Sequence, residues 1–326
     1  MIERALVVGC GSIGQRHIRN LRELGVQRIL AVDTAPDSLN RASQLAAHAY
    51  NNLGAALAAG PDAAIVSTPP HLHLAAARAA LETGLRLLIE KPIAASLDGV
   101  DAVLDLAARD ERILCVGYNL RFHGGLRKVK SLLQSGAIGR LLTLRAEFGQ
   151  YLPDWRPGRD YRELYNARAD EGGGIALDGS HEIDYARWLA GEIVSIYAIT
   201  EKVSDLEMDA EDVALLTLRF ASGAVGQIHL DCVARGYKRG CRLVGTTGSL
   251  EWDFKAGVHL LAAGGVEERF PIIPDTNDMY FDELRHFLAC SKGGESPLAT
   301  GADARRALEI ALAARRSSKE RREIAV

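Results

Sequence analysis

The chain is sparing with several residue types. Among 326 residues there are five cysteines, three tryptophans and three methionines, and aromatic residues make up 6%. Cys10, Cys115, Cys232, Cys241 and Cys290 are scattered, odd in number and form no C-x-x-C pair. That argues against a disulfide framework and a zinc site, and it fits a reducing compartment. No charge of one sign dominates: Lys and Arg total 39, Asp and Glu 42, and the net charge is −3. No global field therefore favours nucleic acid or an anionic membrane. The basic tail from Arg315 to Arg322 reads as a solvated helix end, with a nucleic-acid role as the alternative. No apolar run reaches membrane-spanning length. The N-terminus enters a strand at once, so no signal peptide is expected and the expected location is the cytoplasm.

The first residues supply a strand, a glycine loop and a helix. Arg4-Ala5-Leu6-Val7-Val8 runs into Gly9-Cys10-Gly11-Ser12-Ile13-Gly14, which fits G-x-G-x-x-G. Gly9 allows a tight turn, Gly11 lets the backbone approach a pyrophosphate, and Gly14 lets helix and strand pack closely. The helix N-terminus offers N–H groups to the anion. A second strand, residues 28–32, ends in Asp33, 33 − 14 = 19 residues after the last glycine. An acid at that spacing hydrogen-bonds an adenosine ribose. A carboxylate repels a 2′-phosphate, and Thr34 and Ala35 bring no adjacent cation, so NAD is preferred over NADP. A purely structural turn with a surface Asp is the plain alternative.

Strand and helix alternate through the first third. A helix is expected over residues 38–47, strands at 49–50, 63–67, 86–89 and 113–116, and helices from His71 to Glu82 and from an N-cap at Ser96 to Arg109. Continuous apolar strands between helices indicate a parallel sheet covered on both faces. Near Asn119 the pattern changes. A helix over 126–134 precedes an alternating strand at 141–148, and residues 151–174 form a long loop rich in Tyr, Arg, Asp, Pro and Gly. Loops of that length inside a compact domain are functional or disordered. A helix over 175–189, strands at 194–201, 212–220, 224–233, 242–244 and 249–254, and helices at 280–291 and 302–317 complete the reading. Consecutive strands with tight turns imply a mostly antiparallel sheet. Its open face needs a cover, which a second copy of the chain would supply.

Candidate chemistry sits at strand ends. Thr68-Pro69-Pro70-His71-Leu72-His73 follows one strand, where ligands of open α/β sheets bind. His71 or His73 either touches the cofactor or simply begins the next helix. Glu90-Lys91-Pro92 follows the next strand, and Pro92 restricts Lys91 to an extended conformation aimed at the crevice. Lys91 is either a solvated lysine or an acid–base group whose pKa is lowered by burial and a nearby cationic ring. Asp178, His181 and Asp184 recur every third residue and share a helix face. They could shuttle a proton, hold a metal, or form surface ion pairs. No further His or Cys lies close in sequence to complete a metal site.

The glycine loop with Asp33, the Thr68-Pro69 loop ending in His73, Glu90-Lys91-Pro92, Gly117-Tyr118-Asn119-Leu120-Arg121-Phe122 and Gly172-Gly173-Gly174 ahead of His181 and Asp184 occur in that order along the chain. Together they resemble the glucose–fructose oxidoreductase/inositol dehydrogenase (Gfo/Idh/MocA) family. The resemblance implies an α/β fold: an N-terminal Rossmann domain with a doubly wound parallel sheet (1–120), and a C-terminal α+β domain with a large open, mostly antiparallel sheet for substrate binding and oligomerisation (121–326). It implies hydride transfer between NAD and a hydroxyl or carbonyl carbon of a sugar, sugar acid, cyclitol or nucleotide sugar.

On that basis the catalytic set is Lys91, His181 and Asp178. The cofactor set is Gly9, Gly11, Ser12, Ile13, Gly14, Asp33, Thr68, Pro69, His73, Glu90 and Asn119. The substrate set is Arg121, Tyr151, Trp155, Arg156, Arg159, Tyr161 and Asp184. No metal, nucleic acid or membrane is expected, and the chain is expected to form a homodimer or homotetramer. Many family members carry an Asp four residues before the histidine, where this chain has Leu177. Asp178 stands three before, and one helical residue rotates a side chain by about 100°. The stretches 151–161 and 180–185 look similar to a branch associated with cell-surface polysaccharide and acidic-sugar gene clusters. Rival readings are a glycosidase with tightly bound NAD and an inactive NAD-binding regulator.

Overall fold

A computed structural model of the chain describes residues 2–45 and 48–326. Two compact units account for them. One comprises the residues up to Asn119 together with Thr276–Arg305, the other Leu120–Asp275 together with Arg306–Val326.

The first unit alternates β1 (Arg4–Val8), α1 (Ser12–Glu23), β2 (Arg28–Val32), α2 (Pro36–Ser43), β3 (His48–Tyr50), α3 (Leu53–Ala58), β4 (Ala63–Val66), α4 (His73–Glu82), β5 (Arg86–Ile89), α5 (Val100–Arg109) and β6 (Leu114–Val116). The strands are parallel in the order β3-β2-β1-β4-β5-β6. That is the order of a dinucleotide-binding sheet, whose ligands lie beyond the strands' C-terminal ends. All four residues of β4 are buried, as an apolar run in a doubly covered parallel sheet must be.

Three local expectations change. The helix read over 38–47 is α2, starting at Pro36, and residues 46 and 47 lie outside the described residues. The helix read from His71 is split into a 3₁₀ turn, Pro70–Leu72, and α4. Ser96 does not cap α5: its hydroxyl accepts the Asp98 N–H, and α5 starts at Val100 behind Gly99 at φ +80°.

The second unit contains α6 (Gly124–Gln134), β7 (Leu141–Gly149), α7 (Ile175–Asp178), α8 (Ser180–Ala190), β8 (Ile193–Glu201), β9 (Val213–Phe220), β10 (Val225–Asp231), β11 (Lys238–Gly245), β12 (Gly248–Asp253), β13 (Gly257–Ala262) and β14 (Val266–Phe270). The chain continues as α9 (Thr276–Cys290), α10 (Gly301–Glu320) and β15 (Ile324–Ala325). Nine strands form one sheet in the order β14-β13-β12-β11-β7-β10-β9-β8-β15. β7 and β10 run parallel, and their other neighbours pair antiparallel. The strands β13, β14 and β15 were not expected. β14, Val-Glu-Glu-Arg-Phe, is exposed over its first four residues and lacks the apolar alternation that marks a strand.

α9 belongs to the first unit, where Leu284 and Phe287 join Ile18 and Leu21 in the core. The loop 151–174 is ordered by four 3₁₀ turns: Leu152–Asp154, Tyr161–Glu163, Tyr165–Ala167 and Ala169–Glu171. Among the described residues no helix is long and apolar enough to cross a membrane.

Candidate active site

In the first unit, the glycine loop owes its shape to close approaches. Gly9 has φ +89°, and a Cβ there would meet the Thr68 nitrogen at 2.7 Å. A Cβ on Gly14 would lie 1.9 Å from the Gly9 carbonyl oxygen. Gly11 has nothing within 4 Å of its Cβ position. α1 starts at Ser12 with no side-chain cap and no acid in its first turn. The N–H groups of Ser12 and Ile13 thus stand at an uncompensated helix N-terminus, where an anion is favoured. Asp33 accepts the Cys10 N–H at 2.6 Å and the Ala35 N–H at 2.8 Å, so it ties the loop to the end of β2. The Cys10 thiol behind the loop is pushed up to about 12 by burial and then by Asp33, which leaves it inert.

Strand order places the end of β4 beside that of β1, and the end of β5 beside that of β4. After β4 stand Thr68 and Pro69. The Thr68 hydroxyl is buried with no hydrogen-bond partner among the described residues. An orphaned hydroxyl beside an open helix N-terminus fits a dinucleotide: Thr68, Ser12 and Ile13 would hold it, and Asp33 keeps lone pairs for a ribose hydroxyl. His73 is 1% exposed, and its ring nitrogens face the Pro92 carbonyl at 2.9 Å and the Thr68 carbonyl at 2.7 Å. It staples the two loops together, and burial lowers its pKa.

After β5, Glu90 is followed by a half-buried Lys91 and a cis Lys91–Pro92 peptide. The Glu90 carboxylate faces His17 of α1 at 2.7 Å and accepts the Lys91 N–H at 3.3 Å. Asn119 is buried and hydrogen-bonds Tyr280 of α9.

In the second unit, the expected continuous helix breaks at Gly179, with Asp178 closing α7 and His181 opening α8. His181 is 7% exposed. The two carboxylates go to different partners. Asp178 accepts hydrogen bonds from the Tyr165 hydroxyl at 3.1 Å and the Asn166 amide at 2.9 Å. Asp184 pairs bidentately with Arg121 at 2.7 and 2.9 Å, and both side chains are buried. Arg121 and Asp184, expected to bind substrate, are therefore turned into each other, because a buried guanidinium needs a carboxylate. Burial, followed by the Asp178 charge, raises the Tyr165 pKa well above its ordinary value, so that hydroxyl stays a donor. Sequence reasoning missed Tyr165 and Asn166 as partners of Asp178. The density of aromatics in the loop was the only signal.

The other loop residues differ in how firmly they are held. The Arg235 guanidinium stacks 3.6 Å over the Tyr151 ring. The Trp155 indole donates to the Gln150 carbonyl at 2.9 Å, Arg156 donates to the Trp155 carbonyl at 3.0 Å, and the Tyr161 hydroxyl accepts the Glu207 N–H at 3.0 Å. Arg159 is exposed.

Known proteins share this layout. A sequence model described as "Oxidoreductase family, NAD-binding Rossmann fold" (GFO_IDH_MocA) matches residues 3–118, and one described as "GFO/IDH/MocA C-terminal domain" matches 126–251. The chain is 31% identical to the myo-inositol dehydrogenase Hyg17 of Streptomyces leeuwenhoekii over 323 residues, 96% of each chain. It is 28% identical to the myo-inositol 2-dehydrogenase of Thermotoga maritima over 333 residues, 98% of this chain and 97% of that one. A crystal structure of an oxidoreductase from Agrobacterium radiobacter, in complex with NAD+, L-tartaric acid and magnesium, superposes with a TM-score of 0.88 at 22% identity, over 100% of this chain and 98% of that one.

Proposed function

The chain belongs to the Gfo/Idh/MocA family of NAD-binding oxidoreductases, and from that premise we propose that it oxidises a ring hydroxyl of a cyclitol, sugar or sugar acid, with Lys91 and His181 moving the proton. It is an NAD-dependent dehydrogenase acting on CH–OH groups of sugar-like substrates. When bound, NAD supplies the hydride acceptor.

One observation carries the reading. The ends of three adjacent strands, β1, β4 and β5, bring the open glycine loop, the orphaned Thr68 hydroxyl and Lys91 together in one unit. Lys91 takes the hydroxyl proton as the carbon is oxidised, and His181 assists. Tyr165 and Asn166 hold the Asp178 carboxyl in place by hydrogen bonds. Tyr151, Trp155, Arg156, Arg159 and Tyr161 contact the substrate. Arginines there suit a carboxylate-bearing sugar, since guanidinium pairs with it bidentately.

The test is an absorbance screen for NADH formation with inositols, free sugars, sugar acids and nucleotide sugars, run in parallel with NADP. Net NADH with one of these classes is expected. Hydrolysis of a glycoside without net NADH would replace the reading. Lys91→Met should bind NAD normally and lose about 10²–10⁴-fold in kcat, and full turnover in that variant would remove Lys91 from its role.

We also propose that the outer face of the nine-stranded sheet is covered by a second copy. Tyr197, Ile199, Leu215 and Val225 stand exposed on neighbouring strands of that sheet.

A further inference from the structure

His17 is absent from every site role assigned above, yet it is fully buried in α1, the helix that closes the glycine loop. Its Nε2 stands 2.7 Å from Glu90 Oε1, and Glu90 Oε2 accepts the Lys91 N–H at 3.3 Å. The other ring nitrogen, Nδ1, is buried with no hydrogen-bond partner among the described residues. The ring proton therefore resides on Nε2, where a carboxylate can accept it.

Glu90 is confined on its remaining sides. A Cβ on Gly117, just past β6, would lie 2.8 Å from Glu90 Oε2, so only glycine leaves the carboxylate its place. Tyr280 of α9 meets the His17 ring edge-on, with centroids 6.3 Å apart, and carries the Arg16 guanidinium 4.3 Å over its ring.

Among the described residues, the titratable groups that bear on Glu90 are His17 from α1, Lys91 beside it, His73 from α4, and Tyr280 and Glu283 from α9. Burial alone would raise the Glu90 pKa, but the His17 hydrogen bond, helped by the Lys91 charge, outweighs it and holds the group below its ordinary value. Among the described residues Glu283 has no such donor. Burial, with Glu90's charge added, raises it well above the ordinary range, and it stays neutral. Two buried carboxyls in one unit thus differ in charge: Glu90 has the His17 ring, the Lys91 N–H and the Lys91 charge beside it, and the His17 hydrogen bond is the largest of these in lowering it.

We propose that His17 is a positioning residue for Lys91 and acts through Glu90, joining the cofactor helix to the proton-transferring lysine in one buried chain. Without the donor, a carboxylate removed from water takes up a proton near neutral pH. The charge beside Lys91 then changes within the working range, and the Lys91 backbone loses a fixed acceptor. The inference rests on the reading of Lys91 as the proton-transferring group.

Three variants test it: His17→Phe, which keeps a ring without a donor, His17→Gln, whose amide N–H reaches where Nε2 stood, and Glu90→Gln. His17→Phe is expected to lower kcat by about tenfold to a hundredfold, as loss of an outer partner does, with NAD affinity unchanged and a new ionisation near neutral pH in the kcat profile. His17→Gln should recover most of the turnover and remove the new ionisation. Infrared titration of the cofactor-free protein gives a readout without turnover. A carboxyl C=O band that titrates near neutral pH is expected in His17→Phe, absent in wild type and absent when Glu90→Gln is added.

Wild-type kcat and pH profile in folded His17→Phe, or failure of His17→Gln to recover turnover, overturns the proposal. If His17→Phe does not fold, Glu90→Gln decides: kcat at the wild-type level overturns it, and a comparable loss at unchanged NAD affinity supports it. Lys91→Met separates the two readings. Full turnover there removes the role of Lys91, whereas a dead Lys91→Met beside a normal His17→Phe removes only the role of His17.

Discussion

Asp33 receives the N–H groups of Cys10 and Ala35, and under the proposed function the same carboxylate also takes a ribose hydroxyl. Asp33→Ala should therefore raise the KM for NAD by about tenfold, the worth of one charge-assisted hydrogen bond, and narrow the preference for NAD over NADP. Initial rates with both cofactors measure this, and an unchanged preference would detach Asp33 from cofactor choice. The Arg121–Asp184 pair makes the opposite point about reading residues one at a time. Each looked like a ligand for substrate in the sequence, because nothing in 63 residues of separation announces that they meet. Removing Arg121 takes a buried bidentate ion pair from Asp184, so Arg121→Met should cost about 3–5 kcal/mol of stability. Adding Asp184→Leu should recover part of it, and urea unfolding of the two variants checks both statements.

At the scale of elements, α6 shows how a cap can carry a pH dependence. His123 precedes the helix, and its Nδ1 accepts the Gly125 N–H at 3.1 Å, so the ring must be neutral. Burial, with the Arg239 charge adding to it, pushes its pKa down to about 4. The unfolded chain takes up a proton near pH 6.5 that the native state refuses until about pH 4. Stability is thus complete above about pH 6.5 and is lost as pH falls towards 4, by about 3 kcal/mol for this group. His123→Asn keeps an acceptor for Gly125 and does not titrate, so its urea midpoint should fall less between pH 7 and pH 4.5. Equal slopes in the two proteins would count against the assignment. Elements with strong periodicity or apolar runs, such as α1, β4 and β9, were legible in the sequence. Those set by tertiary contact were not. α5 begins four residues later than Ser96 suggested because Gly99 takes a left-handed turn, and β14 is a strand because β13 pairs with it, not because its own residues prefer one.

At the scale of the molecule, the parallel sheet and the mostly antiparallel sheet were both readable, since alternation of strand with helix gives way to consecutive strands near Asn119. What could not be read is that Thr276–Cys290, late in the chain, packs Leu284 and Phe287 beside Ile18 and Leu21 of α1. An amphipathic helix states that it has a partner, not which one. The nine-stranded sheet raises the same question for its outer face. Along β9, buried and exposed residues alternate strictly, and the exposed positions include Leu215 beside Ile199 of β8, with Tyr197 beside Thr217 one step on. On β10, Gln227 and His229 continue the same rows. Apolar side chains ringed by polar ones, on a sheet wide enough for a standard interface of about 1,600 Å², suit self-association about a two-fold axis. Light scattering at micromolar concentration should return the mass of a dimer or a multiple of it. Leu215→Asp with Tyr197→Asp should shift the protein towards monomer while leaving the sheet intact, because neither side chain enters the core. The shift would be seen as a halved scattering mass with unchanged circular dichroism, and a wild-type monomer at that concentration would show that this face needs no cover.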